Sequence, residues 1–221
     1  MATAALIFDM DGTMVDSMPA HARSWDIFRQ RHSVRMGIEE ILQRTTGRNG
    51  AECIRELFGP QVPEDEAWAL IGEKEAIYRD IFATEFREVP GFRQFARAGR
   101  ERGLKIGLAS GGDKHNIAFV LEHLKLGFAP DVLVGGDEGL PGKPDPALFV
   151  EAARRLGAAA PQCVVFEDAP FGIEAAQRAG MRAVALCTTH TAQQLSGAHV
   201  IAQAPDFLQL MDKNLLESLD A

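Results

Sequence analysis

A doubly wound parallel α/β sheet with an inserted all-helical domain is the fold this sequence predicts. Three observations predict it: short unbroken apolar runs recur along the chain, helical patterns separate them, and one stretch near the N-terminus is helical in spacing throughout. Strands buried on both faces of a parallel sheet read as continuous apolar runs, and their alternation with helices is the βαβ pattern.

The first run, residues 4–8, stops at Asp9. Later runs cover 104–109, 131–134, 163–166 and 182–186, with a weaker one at 199–202. Helical patterns lie between them at 92–102, 114–124, 146–156 and 172–179. From about residue 18 to 88 the rhythm changes, and Trp25, Phe28, Ile38, Ile41, Leu42, Ile54, Leu57, Phe58, Trp68, Leu70, Ile71, Ile77 and Phe82 form the expected core stripe of a helical insert. Arg48-Asn49-Gly50 and Gly59-Pro60 break it, and Pro90-Gly91 marks the return to the sheet. The expected division is a sheet domain of residues 1–17 and 88–221 and a helical cap of residues 18–87. An insert after the first strand sits over the carboxyl ends of the strands, where open α/β sheets bind ligands, so it is a candidate lid. Residues 212–221 read as a frayed terminal helix.

The 221 residues are 46% hydrophobic, enough for a sizeable core, which excludes disordered and low-complexity classes. A net charge of −8 without a basic block repels phosphate backbones and anionic bilayers, so neither nucleic acid nor membrane is an expected partner. No apolar run approaches the about 20 residues a bilayer requires, and no basic region precedes the first apolar run. Cys53, Cys163 and Cys187 are odd in number and widely spaced, which excludes a disulfide framework and fits a reduced cytoplasm. No interface segment stands out, so a monomer is expected.

Chemistry concentrates where strands end. In Asp9-Met10-Asp11-Gly12-Thr13 two carboxylates share one rim of an extended chain. Such a pair repels itself and calls for a cation such as Mg²⁺, although an Asx turn would also use these residues. Ser110-Gly111-Gly112 offers a hydroxyl and flexible amides before a helix, a phosphate cradle that is weak alone. Gly142-Lys143-Pro144-Asp145-Pro146 places one lysine in a turn, and Pro144 stands where a Walker A loop needs a hydroxyl. Glu167-Asp168 ends the fourth full run, where helix capping is the competing role.

Taken in order, these four pieces resemble the motifs of the haloacid dehalogenase-like (HAD) hydrolase superfamily over nearly the whole chain. Phe166-Glu167-Asp168, Gly172-Ile173-Glu174-Ala175-Ala176 and Ala179-Gly180-Met181 are similar to the branch containing β-phosphoglucomutase and small sugar-phosphate phosphatases. The resemblance implies a Rossmann-like core with Asp9 as nucleophile, forming an aspartyl-phosphate, and Asp11 as general acid/base. It implies Mg²⁺ held by Asp9, the Asp11 carbonyl and Asp168, with Glu167 in or just outside the coordination sphere. Lys143 would lie beside the phosphoryl group, with Ser110 and Gly111 on its oxygens. Thr13 would orient the assembly or simply make the turn. A free aspartate titrates near about 3.9, so acid duty by Asp11 requires a raised value, which burial under a closed cap would supply.

The cap is expected to read the non-reacting part of the substrate. His21 aligns with a cap histidine near the acid/base, with a helix-packing role as the alternative. Lys74 aligns with a cap lysine, with a solvated lysine as the alternative. Gly47-Arg48-Asn49-Gly50 is the expected specificity turn, its two glycines letting backbone approach a ligand. The mutase carries an arginine where this chain has Gly50, and Arg48 at a shifted position is not its equivalent. Dehalogenases of the superfamily lack an aspartate at the position of Asp11, so that activity is not expected. The function implied is a Mg²⁺-dependent phosphatase of a small phosphorylated metabolite, a sugar or sugar-alcohol phosphate favoured by a polar cap. The alternative is a β-phosphoglucomutase-like mutase.

Overall fold

A computed structural model describes residues 2–219. Among these, β1 (Ala5–Phe8), β2 (Lys105–Ala109), β3 (Val132–Val134), β4 (Cys163–Glu167), β5 (Arg182–Leu186) and β6 (Val200–Ala204) form one sheet in the order β3-β2-β1-β4-β5-β6. Every pairing is parallel. Alternate residues take opposite faces: Leu6, Phe8, Val164 and Phe166 point one way, and Ala5, Ile7, Cys163 and Val165 the other. Both faces are covered, which is why these segments carry no polar alternation. The order reverses at β1, so a crevice opens beyond the carboxyl ends of β1, β2 and β4.

Between β1 and β2 the chain forms a cap of α1 (Met18–Arg31), α2 (Ile38–Thr45), α3 (Gly50–Phe58) and α4 (Glu64–Ala83). These helices have a core of their own in which Trp25, Phe28, Ile41, Ile54 and Ile71 are buried. A capping box starts α3: Asn49 Oδ1 accepts from the Glu52 amide at 2.9 Å, and Glu52 Oε2 accepts from the Asn49 amide at 3.2 Å. Phe82, expected in the cap stripe, instead packs with Tyr78 in the sheet core, and Ile77 is half-buried outside the cap core. The reason is length: α4 has 20 residues, about 30 Å, and its second half runs past the cap onto the sheet domain.

After the cap come α5 (Phe92–Glu101), α6 (Lys114–Leu124), α7 (Ala147–Leu156), α8 (Pro170–Arg178), α9 (Phe207–Asp212) and α10 (Leu215–Leu219). Helices α7 and α8 cover one face of the sheet, and α5, α6, α9 and α10 the other. Phe8 is the hub of the second face, stacked on Phe166 at 4.6 Å and edge-on to Phe92 at 5.2 Å. The end of the chain departs from the expected fraying, because Leu215, Leu216 and Leu219 are buried against this face. Residues 220–221 of that expected helix lie outside the described part. Strand β6 runs to Ala204 rather than ending at Ala202; as an edge strand with exposed Ile201 and half-buried Gln203, it lacks the continuous apolar signal. No helix among the described residues is long and apolar enough to cross a membrane.

Phe8→Ala should lower the unfolding free energy by about 3–5 kcal/mol, read from the urea midpoint, because the hole opens inside a cluster of fixed rings.

Candidate active site

The four predicted strand ends meet at the crevice. Asp9 and Asp11 follow β1, Ser110 follows β2, Lys143 lies in the loop after β3, and Glu167 and Asp168 end β4. With the cap they enclose a cavity of about 100 Å³. Sheet topology makes this convergence, since the four segments are neighbours only across strands.

Lys143 is at the centre, 2% exposed. Its ammonium donates to Asp9 Oδ1 and, at 2.6 Å, to Glu167 Oε1. Glu167 Oε2 accepts from the amides of Asp168 and Ala169, both at 2.7 Å. Both Glu167 oxygens are thus engaged, and the carboxylate holds the lysine in place. Asp9, Glu167 and Asp168 are buried, and their carboxylate oxygens lie within 4.8 Å of one another. Burial pushes the Asp9 carboxyl up to about 8, helped by the charges of Glu167 and Asp11 and opposed by Lys143. Asp168 is raised for the same reasons: burial first, then Glu167 and Asp9. One ammonium against three crowded carboxylates leaves a deficit of positive charge, and hard oxygen donors in such a group suit a divalent cation. The turn is built around this packing: Gly12 has φ +78°, and a Cβ there would lie 2.2 Å from Asp168 Oδ2.

Asp11 sits beneath the cap and differs from expectation. Burial does push its carboxyl up, but His21, a hydrogen bond from Ser17 and the Lys74 charge outweigh it and bring the carboxyl below the usual range. Ser17 Oγ donates to Asp11 Oδ1 at 2.6 Å, and His21 Nε2 lies 3.1 Å from the same oxygen. His21 stacks on Tyr78 at 3.8 Å between ring centres, and the Tyr78 hydroxyl reaches Asp11 at 3.4 Å. Lys74 is buried rather than solvated, 2.6 Å from His21 Nδ1 and 4.9 Å from the centre of the Trp25 ring. An ammonium can only donate, so Nδ1 accepts from Lys74, and Nε2 is the ring nitrogen turned towards Asp11.

Ser110 is buried; its Oγ accepts from the Gly112 amide at 3.0 Å, and Gly111 lines the cavity beside it. Thr13 lies among the core groups of the site. It is fully buried and donates to Asp168 Oδ1 at 3.3 Å, behind the carboxylate. Arg48 borders the cavity, but its guanidinium is occupied by the Arg44 carbonyl at 2.8 Å and by Glu56 at 3.2 Å. Gly47 and Gly50 both line the cavity, and Gly50 is also constrained by its packing. It is the first residue of α3, and a Cβ there would meet Ile71 at 2.9 Å. Between cap and core the 47–52 segment forms direct bonds: the Lys143 amide donates to the Gly47 carbonyl at 3.0 Å, and the Gly142 amide to Glu52 Oε1 at 3.1 Å. The expected polar cap is mixed, because Met18, Trp25, Leu42, Trp68 and Ile71 line it beside the polar groups.

Ser17, Tyr78 and Thr189 escaped the sequence analysis. Thr189 donates to Asp168, and Thr188 Oγ1 donates to the Gly12 carbonyl at 2.5 Å. Both follow β5, where Thr188-Thr189-His190-Thr191 is a polar cluster of the kind that marks the other strand ends. That signal could have found them. Nothing local ties Ser17 or Tyr78 to Asp11.

The chain is similar to known proteins over most of its length. The profile of the haloacid dehalogenase-like hydrolases matches residues 3–180. A fructose-1-phosphate phosphatase of Escherichia coli is 33% identical over 187 residues, 82% of this chain and 95% of the relative. A validoxylamine A 7′-phosphate phosphatase of Streptomyces hygroscopicus is 32% identical, covering 88% of this chain and 91% of its own. The crystal structure of a β-phosphoglucomutase from Clostridium difficile shares the fold, with a TM-score of 0.84 at 22% identity over 98% of this chain and 97% of that one.

Because Asp9 is raised from 3.8 to about 8, its ionisation without a cation costs stability as pH climbs through that window. The metal-free protein should therefore lose Tm between pH 4 and 8, and added Mg²⁺ should raise Tm more at pH 8 than at pH 5. Differential scanning calorimetry at matched ionic strength checks both signs.

Proposed function

The chain belongs to the haloacid dehalogenase-like hydrolase family, and from that membership we propose that it is a phosphoric monoester hydrolase acting on a small sugar or sugar-alcohol phosphate through an aspartyl-phosphate. The observation that carries this reading is the Lys143-bridged carboxylate group facing the cavity between cap and core, in a chain whose relatives are named as phosphatases of phosphorylated sugars and related molecules. The three cysteines are free, with Cys53 and Cys163 buried, which supports a reducing compartment such as the cytoplasm.

Asp9 and Asp168, with the main-chain carbonyl of Asp11, would hold Mg²⁺. When bound, the ion offsets the repulsion between an anionic nucleophile and an anionic phosphate. In the first step an Asp9 carboxylate oxygen bonds to phosphorus as the bond from phosphorus to the sugar oxygen breaks, and Asp11 gives its proton to that oxygen. In the second step Asp11 takes a proton from water as the water oxygen bonds to phosphorus, and the Asp9 ester opens. The low-lying Asp11 carboxyl is the base form and suits the second step. An anionic substrate beside it raises its proton affinity and prepares the first. Lys143 stays charged beside the reacting oxygen of Asp9, held there by Glu167. The Ser110 hydroxyl proton, whose oxygen already accepts from Gly112, is available to a phosphoryl oxygen.

Three observations disfavour the mutase alternative. A mutase must grip a phosphate at each end of its bisphosphate, yet Arg48 is tied to Glu56 and Gly50 is packed against α4. Lys74 is committed to Glu75 and His21. The cavity thus suits a single phosphate and an uncharged body that can lie on Trp25 and Trp68.

Phosphate release over a panel of sugar and hexitol phosphates, with and without Mg²⁺, tests the assignment; turnover only with the ion is expected, and no release from any ester would end it. Asp9→Asn should lower kcat at least about a thousandfold, and undiminished single-turnover cleavage would exclude Asp9 as nucleophile.

A further inference from the structure

One buried side chain outside the mechanism joins cap to core. Asn116, in the first turn of α6, is 1% exposed. Its Nδ2 donates to Glu75 Oε2 at 2.7 Å, and its Oδ1 accepts from Arg79 Nη1 at 2.7 Å. Glu75 and Arg79 stand one turn apart on α4, so a single carboxamide engages successive turns of the longest cap helix. The partners fix its orientation, because a carboxylate only accepts and a guanidinium only donates.

Each end of this link leads to the reacting groups. On the core side the Asn116 amide donates to Asp113 Oδ1 at 2.8 Å, and Asp113 follows the Ser110-Gly111-Gly112 loop on the cavity wall. On the cap side Glu75 Oε1 accepts from Lys74 at 2.9 Å, and Lys74 donates to Nδ1 of the His21 ring that faces Asp11. Burial pushes the Glu75 carboxyl up, but Lys74, His21 and the Asn116 amide outweigh it and hold it as an anion. A residue placed here needs one donor and one acceptor, which an amide has and a carboxylate lacks.

We propose that Asn116 is a positioning residue that clasps α4 to the core and so registers the His21–Lys74 pair over Asp11 when the cap is shut. The proposal rests on the phosphatase reading for its kinetic measurement alone. Asn116→Asp keeps the volume and the Arg79 contact but sets a second acceptor against Glu75. Pairing it with Glu75→Gln restores a donor opposite an acceptor with the polarity reversed, while the glutamine oxygen can still accept from Lys74.

Two measurements on the full chain with Mg²⁺ decide it. In N116D, kcat/KM for the best ester should fall at least about tenfold. Amide exchange at Gly142 and Lys143, which donate to Glu52 and Gly47 of the cap, should quicken while that of Leu6 and Ile7 in the sheet does not. The double variant E75Q/N116D should recover most of both losses. Unchanged exchange and kcat/KM in folded N116D, or a double variant no better than the single one, would overturn the clasp. Should N116D fail to fold, Asn116→Ala removes the link without adding charge and is read by the same two measurements. If no ester releases phosphate, the functional reading fails by itself, and the exchange data still decide the clasp.

Discussion

Three buried carboxylates crowded around one ammonium are the constraint on which the rest of this structure depends. Asp9, Glu167 and Asp168 could not share a dry pocket without Lys143, and Lys143 could not be 2% exposed without them. Each part of the surrounding fold supplies something to this group. Parallel pairing of β1 with β4 sets Asp9 beside the Phe166 carbonyl, the absent side chain of Gly12 leaves room for Asp168, and two amides satisfy the second oxygen of Glu167. The group remains short of positive charge, which is the chemical opening for a divalent ion and an anionic substrate.

The second constraint is the cap. Asp11 belongs to the core, yet the groups that set its protonation state come from the cap side: His21 on α1, Lys74 on α4, and Ser17 just before α1. A shut cap therefore does more than exclude water. It replaces the solvent around Asp11 with a histidine ring, a lysine charge and two hydroxyls, and reverses the direction in which burial alone would move that carboxyl. Closure is secured at the backbone of Gly142 and Lys143 and again at the side chain of Asn116.

Much of this was legible in the residues. Apolar runs gave the sheet strands because strands covered on both faces need no polar residues, and helical spacing gave the insert. Asp9, Asp11, Ser110, Lys143, Glu167 and Asp168 announced themselves as polar clusters at strand ends, and their order along the chain carried the family resemblance. The failures share a cause. Phe82 reads as a cap residue because periodicity shows which residues share a helix face but not where a helix of 20 residues crosses from one core to another. Arg48 and Gly50 do border the cavity, but spacing cannot show that Glu56 takes the guanidinium or that Ile71 fills the space above the glycine. Leu215, Leu216 and Leu219 read as a loose end because a short terminal helix carries no sign of the face it will meet.

What the sequence alone determined is the set of polar groups at the strand ends and the kind of scaffold, since side-chain chemistry and hydrophobic period are local properties of the chain. Which carboxyl is raised and which lowered was decided only in three dimensions. Asp9 and Asp11 are two residues apart and chemically identical. The first is buried among other carboxylates and rises, while the second meets His21, Ser17 and Lys74 and falls. Proton affinity depends on charges brought within a few ångströms by folding, and no distance along the chain encodes that.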